Sequence, residues 1–148
     1  MLIIEDEEAI RMALEDDFKL EGYEILTAVE LPTPNGWDAT YWKLRRRGSF
    51  DFPVLGVAAR ITWDEDRVTD ARIVLGGVAS CTQRVVEAET IIIGSSLDDD
   101  SINAAAHAAF KPSKPMDNTD FGLAWRKEMT RVYVSRALAE LRDRRRSS

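Results

Sequence analysis

The sequence predicts an α+β fold in which a small antiparallel sheet packs on a three-helix C-terminal group, with an added N-terminal β-α unit. Three observations predict it. Two segments rich in β-branched residues, 54–63 and 68–78, flank a short acidic turn, which is the pattern of an antiparallel hairpin. Helical signals dominate the chain after that hairpin. Before it, an apolar run is followed by apolar residues at helical spacing.

The first 24 residues are expected to form a strand, a loop and a helix. Residues 1–4 are apolar and precede a run of acids. Ile10, Leu14 and Phe18 then recur at every fourth position, which places them on one face of a helix. Acids early in such a helix complement the positive end of its dipole. This β-α segment is expected to be a unit of its own.

The middle of the chain is expected to be mostly extended. Residues 25–31 predict a strand that ends at a proline, and the hairpin follows later. The segment 37–47 is aromatic and basic and is broken by Gly48, and no element is assigned to it. Gly56, Gly76 and Gly77 lie inside the expected hairpin strands, where glycine indicates a bulge or the close approach of backbone.

Three helices are expected in the C-terminal part. The first spans 82–93, and the second runs to residue 110 from a capping box formed by Ser96 and Asp99. The third is long, is capped by Thr119 or Asp120, and reaches about residue 142. Its predicted buried stripe consists of Trp125, Met129, Val132, Tyr133, Ala137 and Leu141. The basic residues 143–148 are expected to be a disordered tail.

Composition excludes several classes of protein. The 148 residues have a net charge of −6, but ten acids and two bases in residues 1–30 leave the remainder slightly basic. The arginine clusters lack a stacking aromatic face, so no nucleic-acid partner is expected. No apolar run reaches the roughly 18 residues that a membrane span needs. One cysteine and one histidine predict neither a disulfide nor a zinc site, and a cytoplasmic location is expected.

The N-terminal segment 2–28, LIIEDEEAIRMALEDDFKLEGYEILTA, resembles the first strand and helix of response-regulator receiver domains. In that family an acidic pair after the first strand binds Mg²⁺. Glu5 and Asp6 match that pair, so the resemblance implies a vestigial Mg²⁺ site with hard oxygen ligands. Gly56 stands where the phosphoryl-accepting aspartate would be expected, so phosphorylation of the receiver kind is not expected.

A second resemblance covers residues 25–142. The segments ILTAVELP, YWKLRRRGSFDFPVLGVAARI, RVTDARIVLGGVA and PMDNTDFGLAWRKEMTRVYVSRAL resemble the C-terminal domain of the FAD-binding medium subunit of molybdenum hydroxylases, of the carbon monoxide dehydrogenase and xanthine dehydrogenase type. That resemblance implies an α+β domain that closes over part of an FAD. Two preceding domains hold the pyrophosphate in the family. Residues 75–78 contain two glycines but open no helix, so they do not replace that phosphate loop.

The second resemblance also implies candidate cofactor contacts. The segment 43–52 lies on the side that faces flavin in the family, and it supplies Lys43, Arg45, Arg46 and Phe52 as candidates. The alternatives to a cofactor contact are that the arginines are solvated on the surface and that Phe52 is an anchor in the hydrophobic core. No catalytic residue is assigned. FAD is the implied cofactor, although the chain in isolation is expected to hold none.

Together the two resemblances predict a chimeric or truncated protein. The leading hypothesis is a structural or interaction module without catalysis of its own. The alternatives are a partial FAD-binding oxidoreductase subunit that acts with other chains, and a receiver-derived signalling module that lacks its phosphoacceptor. Expected partners are other oxidoreductase subunits and a second copy of the chain. Self-association is expected because Ile10, Leu14 and Phe18 would form an apolar face without its original partner strand.

Overall fold

The computed structural model describes residues 20, 36–47, 51–117 and 121–147. The chain divides into two units, 1–33 and 34–148, and all the elements below belong to the second. Its strands are β1 (Trp37–Leu44), β2 (Leu55–Asp64), β3 (Arg67–Gly76) and β4 (Gln83–Arg84), and its helices are α1 (Val86–Ile92), α2 (Asp99–Phe110) and α3 (Leu123–Arg146).

The four strands form one antiparallel sheet in the order β1-β2-β3-β4. Strands β2 and β3 make the predicted hairpin, and their pairing shifts register between Thr62 and Trp63, the irregularity that a β-bulge produces. The small antiparallel sheet and the three helices confirm the predicted α+β class.

The helices cover one face of this sheet. Helix α3 contacts β1 and β2, α1 contacts β3, and α2 packs against both of the other helices. Alternate residues of β2 and β3 point into this core, among them Val57, Ile61 and Ile73, which are completely buried. Burial of such side chains contributes about 1.5–3 kcal/mol each relative to exposure, so this one-sided core holds the unit together.

Two strands differ from the sequence expectations. Strand β1 lies in the segment to which no element was assigned. The helix predicted at 82–93 is shorter, because Gln83–Arg84 pairs with β3 as β4 and Val85 N–H donates to the carbonyl of Ile73 at 2.9 Å. Sheet pairing therefore takes the first residues of the predicted helix.

The capping box predicted at Ser96 is placed two residues too early. Asp98 is the N-cap of α2, and its carboxylate accepts a hydrogen bond from Ser101 N–H at 2.9 Å. This bond lowers the pKa of Asp98, and together with hydrogen bonds from the Ser101 side chain and the neighbouring backbone it outweighs the opposing effect of burial. The Asp98 carboxylate therefore caps the N-terminus of α2 by accepting one of its free backbone N–H groups.

The buried stripe of α3 agrees with the prediction at Ala137 and Leu141, and Met129 and Tyr133 are partly buried against the core, but it differs near the start of the helix. Trp125 is 43% exposed and stacks on Phe121, whereas the neighbouring Arg126 is only 1% exposed. The stripe that the structure buries consists of Arg126, Thr130, Val134, Ala137, Leu138 and Leu141. Because two members of this stripe, Arg126 and Thr130, are polar, the spacing of apolar residues does not indicate this face.

Several expectations fall outside the described residues. These are the strand and helix of residues 1–24, the strand at 25–31, and the caps Thr119 and Asp120. The expected disordered tail is corrected in part, because α3 continues through Arg146. Within the described residues no helix is long and apolar enough to cross a membrane.

Candidate functional site

The sheet has a second face, opposite the helices, which we call the outer face. Thr40 and Trp42 of β1 reach Glu140 on α3, so the alternate residues of β1 point to the other side. The strand register then places these side chains on the outer face: Trp37, Ala39, Tyr41, Lys43, Gly56, Ala58, Arg60, Thr62, Asp70, Arg72, Val74 and Gly76.

A depression of about 430 Å³ lies on the outer face. Its lining is almost entirely apolar and includes Ala39, Ala58 and Val74, which are small or medium side chains on three adjacent strands. Tyr41 forms part of its wall and is 60% exposed. The volume falls within the range of about 300–1,000 Å³ that is typical of small-molecule sites.

Tyr41 lies directly over the glycine of the neighbouring strand. A Cβ atom built on Gly56 would be 2.8 Å from the Tyr41 hydroxyl oxygen and 3.3 Å from its Cε2. A real side chain at Gly56 could not coexist with the ring in this position. The group that approaches Gly56 is therefore a side chain, the phenol of Tyr41. The expected close approach of backbone is found at Gly77, where a Cβ atom would be 3.1 Å from the carbonyl oxygen of Pro53.

Charged side chains border the depression and are paired with one another. Arg60 and Arg72 both donate to Asp70, at 2.5 and 2.8 Å. Burial raises the pKa of Asp70, but the hydrogen bond from Arg60 and the charges of Arg72 and Arg60 outweigh it, so the pKa is lowered. Asp70 therefore stays ionised at neutral pH and holds the two guanidinium groups at the rim.

A buried carboxylate, that of Glu89, anchors the β4 side of the sheet. Glu89 on α1 is 3% exposed and accepts hydrogen bonds from Ile73 N–H at 2.9 Å and from Arg84 Nη2 at 2.7 Å. Burial raises the pKa of Glu89, but the hydrogen bonds from Arg84 and Ile73 and the charges of Arg84 and Arg72 outweigh burial, so the pKa is lowered. An ionised Glu89 thus fixes β4 and α1 to β3.

The predicted cofactor contacts lie at one end of the sheet. Lys43 is on the outer face, opposite Gly56 in register. Arg45 and Arg46 follow β1 and are exposed. Phe52 precedes β2 and is 87% exposed, which rules out the alternative of a core anchor. A hydrogen bond of 2.8 Å from Val54 N–H to the carbonyl of Leu44 closes the segment that carries these residues.

Other polar candidates have ordinary surroundings or cannot be placed. His107 is exposed on α2 and stacks on Phe110 with ring centroids 6.4 Å apart, and Cys81 is exposed. Among the described residues, no group of three or more His, Cys, Asp or Glu side chains could hold a metal ion. The proposed Mg²⁺ ligands Glu5 and Asp6 lie outside the described residues.

Sequence reasoning missed Tyr41 as a site residue. The signal was an aromatic residue diagonally across from a glycine of the next strand, since Gly56 pairs with Lys43, and reading it requires the register of β1 against β2. Because β1 itself was not predicted, that register was not accessible from the sequence.

Among the described residues of the second unit, the helices lie on one face of the sheet, and this arrangement defines an α+β domain. The chain belongs to the family of CO dehydrogenase flavoprotein C-terminal domains, whose model matches residues 39–141. It is thereby related to the FAD-binding medium subunit of molybdenum hydroxylases.

Individual relatives agree with that assignment. The chain is 34% identical over 125 residues to the 6-hydroxypseudooxynicotine dehydrogenase complex subunit alpha of Paenarthrobacter nicotinovorans, covering 83% of this chain and 42% of that protein. It is 27% identical over 126 residues to the carbon monoxide dehydrogenase medium chain of Afipia carboxidovorans, covering 84% and 43%.

A solved structure agrees as well. The reconstituted CO dehydrogenase from Oligotropha carboxidovorans superimposes with a TM-score of 0.70 at 25% identity, over 76% of this chain and 39% of that one. The chain therefore spans about two fifths of the length of the relatives that it matches.

Proposed function

We propose that this domain is a cofactor-covering module: its outer face closes over the flavin of an FAD-dependent oxidoreductase whose other parts hold most of the cofactor. The depression on the outer face is the observation that carries the proposal. It combines an apolar floor, an exposed aromatic ring at Tyr41 and a nearby cation at Lys43. The family relationship supports FAD as the ligand.

The residues present fit the ring system of a flavin better than its phosphates. The floor of Ala39, Ala58 and Val74 is flat and apolar, which suits a planar aromatic group. The rim arginines Arg60 and Arg72 are already committed to Asp70. The pyrophosphate would then be held elsewhere, and FAD when bound would supply the electron-transfer chemistry.

Within this proposal each residue has a limited task. Tyr41 would lie against the flavin ring and exclude water from it, since aromatic pairs contribute about 0.5–1.5 kcal/mol beyond area burial. Lys43, Arg45, Arg46 and Phe52 would border the ring from the end of the sheet. None of these tasks makes or breaks a bond, so the module is proposed to have no catalysis of its own.

A titration of flavin mononucleotide with the purified chain tests the proposal. We expect weak, saturable quenching of flavin fluorescence and no flavin retained after desalting, because the phosphate-holding parts are supplied by other domains. Tyr41→Ala should weaken the quenching. Trp125→Ala, which removes an exposed aromatic from α3, should leave it unchanged. Absence of saturable quenching, or equal effects of both variants, would reject the proposal.

The N-terminal segment calls for a separate proposal. We propose that residues 1–24 are a receiver-derived β-α segment fused to the family domain, that Glu5 and Asp6 keep at most weak Mg²⁺ affinity, and that the fusion self-associates. The support is the resemblance of residues 2–28 together with a family match that begins at residue 39. Light scattering should show a concentration-dependent dimer, and a strict monomer at high concentration would contradict self-association.

Incubation with acetyl phosphate tests the receiver part of that proposal. We expect the intact mass to show no phosphoryl adduct, because Gly56 stands at the acceptor position. A covalent adduct would instead support a signalling function.

A further inference from the structure

Two glycines face each other across β2 and β3, and only one of them is closely covered. Gly56 and Gly76 are register partners on the outer face. A Cβ on Gly56 would be 2.8 Å from the Tyr41 hydroxyl, whereas a Cβ on Gly76 would meet nothing nearer than Thr82 Cγ2 at 4.0 Å. Neither glycine needs positive φ for its strand conformation, so sterics alone distinguishes them.

The Tyr41 ring lies low on the sheet, close to Gly56. Tyr41 is 60% exposed, and its flanking residues Thr40 and Trp42 are fixed to Glu140 on the opposite face. Those bonds fix the backbone of β1 but leave the phenol on the solvent side. The absence of a side chain at Gly56 is what allows the ring to lie down along the neighbouring strand.

We propose that Gly56 is a positioning residue that seats the Tyr41 ring against the sheet and thereby sets the wall of the depression. The inference rests on the proposed function, because the ligand for which the wall is set is the planar ring of a flavin. With any side chain at Gly56, the ring swings outward or over the depression. The flat contact with a flavin ring is then lost, although the fold is kept.

The glycines provide a matched pair of variants. Gly56→Ala adds a methyl group under the ring, and Gly76→Ala adds the same methyl group on the same face without a close contact. Both changes also replace a strand glycine by a residue with less backbone freedom, so that contribution is common to the two variants. A difference between them therefore reports the Tyr41 contact.

The closest atom to the built Cβ also suggests a rescue. The hydroxyl oxygen lies at 2.8 Å, but the next atoms of the ring lie at 3.3 and 3.4 Å, distances that a small adjustment can relieve. Tyr41→Phe removes the hydroxyl oxygen and keeps the ring. The double variant Gly56→Ala with Tyr41→Phe is therefore expected to reseat the ring, which a general destabilisation at Gly56 would not do.

The first measurement is structural. The aromatic resonances of Tyr41 and the amide resonances of Gly56 and its neighbours are assigned by NMR in the wild-type chain and in each variant. We expect the Tyr41 ring resonances to move in Gly56→Ala, to stay in place in Gly76→Ala, and to return toward the positions of the Tyr41→Phe single variant in the double variant. If the Tyr41 ring resonances stay in place in Gly56→Ala, the proposal that Gly56 positions the Tyr41 ring is overturned.

The second measurement is the affinity for flavin mononucleotide. Loss of one flat aromatic contact predicts about threefold to tenfold weaker binding in Gly56→Ala, no change in Gly76→Ala and recovery in the double variant. If the wild-type chain binds and Gly56→Ala binds equally well, the inference is overturned while the proposed function stands. If the wild-type chain does not bind, the proposed function fails, and with it the proposal that Gly56 prepares a contact with flavin. The NMR result still decides whether Gly56 positions the Tyr41 ring.

Discussion

Arg126 is the residue whose replacement tests the described fold most sharply. It is 1% exposed near the start of α3. Its guanidinium group donates to three backbone carbonyls, those of Met116 at 2.5 Å, Val54 at 3.1 Å and Gly77 at 2.8 Å. One side chain thus joins three separate loops at the end of the sheet where β2 begins.

The expected cost of Arg126→Met follows from these bonds. The bond to Val54 is buried and those to Met116 and Gly77 are partly buried. A buried carbonyl left without a donor costs about 1–3 kcal/mol, and each partly buried one costs less because water can replace the donor. Burial already lowers the pKa of Arg126 against the opposing charge of Asp117, so removing the cation recovers some desolvation free energy. The net loss of unfolding free energy is about 2–4 kcal/mol.

Urea unfolding followed by circular dichroism measures this loss. Arg126→Lys keeps a charge but cannot reach three carbonyls at once, so it should lose about half as much as Arg126→Met. Arg131→Met is the control, because Arg131 lies on the same helix and is an exposed partner of Glu128. An exposed pair of this kind is worth about 0–1 kcal/mol. If Arg126→Met and Arg131→Met were equally stable, the assigned role of Arg126 would be wrong.

The remaining predictions concern two carboxylates and one aromatic side chain. Because the pKa of Glu89 is lowered in the folded state, its contribution to stability is present above its ordinary pKa of 4.5 and is lost as the pH falls through the lower folded pKa. The difference in unfolding free energy between the wild type and Glu89→Gln, measured by urea unfolding, should therefore decrease below about pH 4.5. A difference that increases there would contradict the lowered pKa. Glu140→Ala should cost about 1–3 kcal/mol in the same assay, because Glu140 accepts hydrogen bonds from Thr40 and Trp42 of β1, whereas Glu128→Ala should be nearly neutral. Phe52→Ser should leave the unfolding midpoint unchanged or slightly raised, since the side chain is 87% exposed; a clear fall in the midpoint would show that Phe52 packs in solution.

The hairpin and the three helices were predictable, apart from their exact ends, because their signals are local. The strands β2 and β3 are rich in β-branched residues around an acidic turn, and α2 starts in a cluster of acids that the helix dipole favours. Strand β1 has the reverse character. Apolar and polar residues alternate over 37–41, but the alternation then reverses, because Trp42 on the helix-facing side is apolar and Lys43 on the outer side is charged. Neither side of β1 is therefore apolar along its whole length.

The depression could not be predicted from the sequence, and the cofactor contacts that the resemblance implies stay predictions. The family resemblance pointed to Lys43, Arg45, Arg46 and Phe52, which the structure places at one end of the sheet. The depression itself depends on strand register, because Ala39, Ala58 and Val74 come together only when β1, β2 and β3 pair. The burial of Arg126 likewise depends on carbonyls from three distant loops, which no helical periodicity can indicate.

The most direct test of the central claim is an NMR titration of the isotope-labelled chain with lumiflavin, the flavin ring without its phosphates. The account predicts that the shifted backbone resonances cluster on the outer face, at Ala39, Tyr41, Ala58 and Val74, and that adenosine monophosphate leaves the same resonances in place. Shifts that cluster on the helices, or no saturable shift at any concentration, would contradict the claim that the outer face covers a flavin.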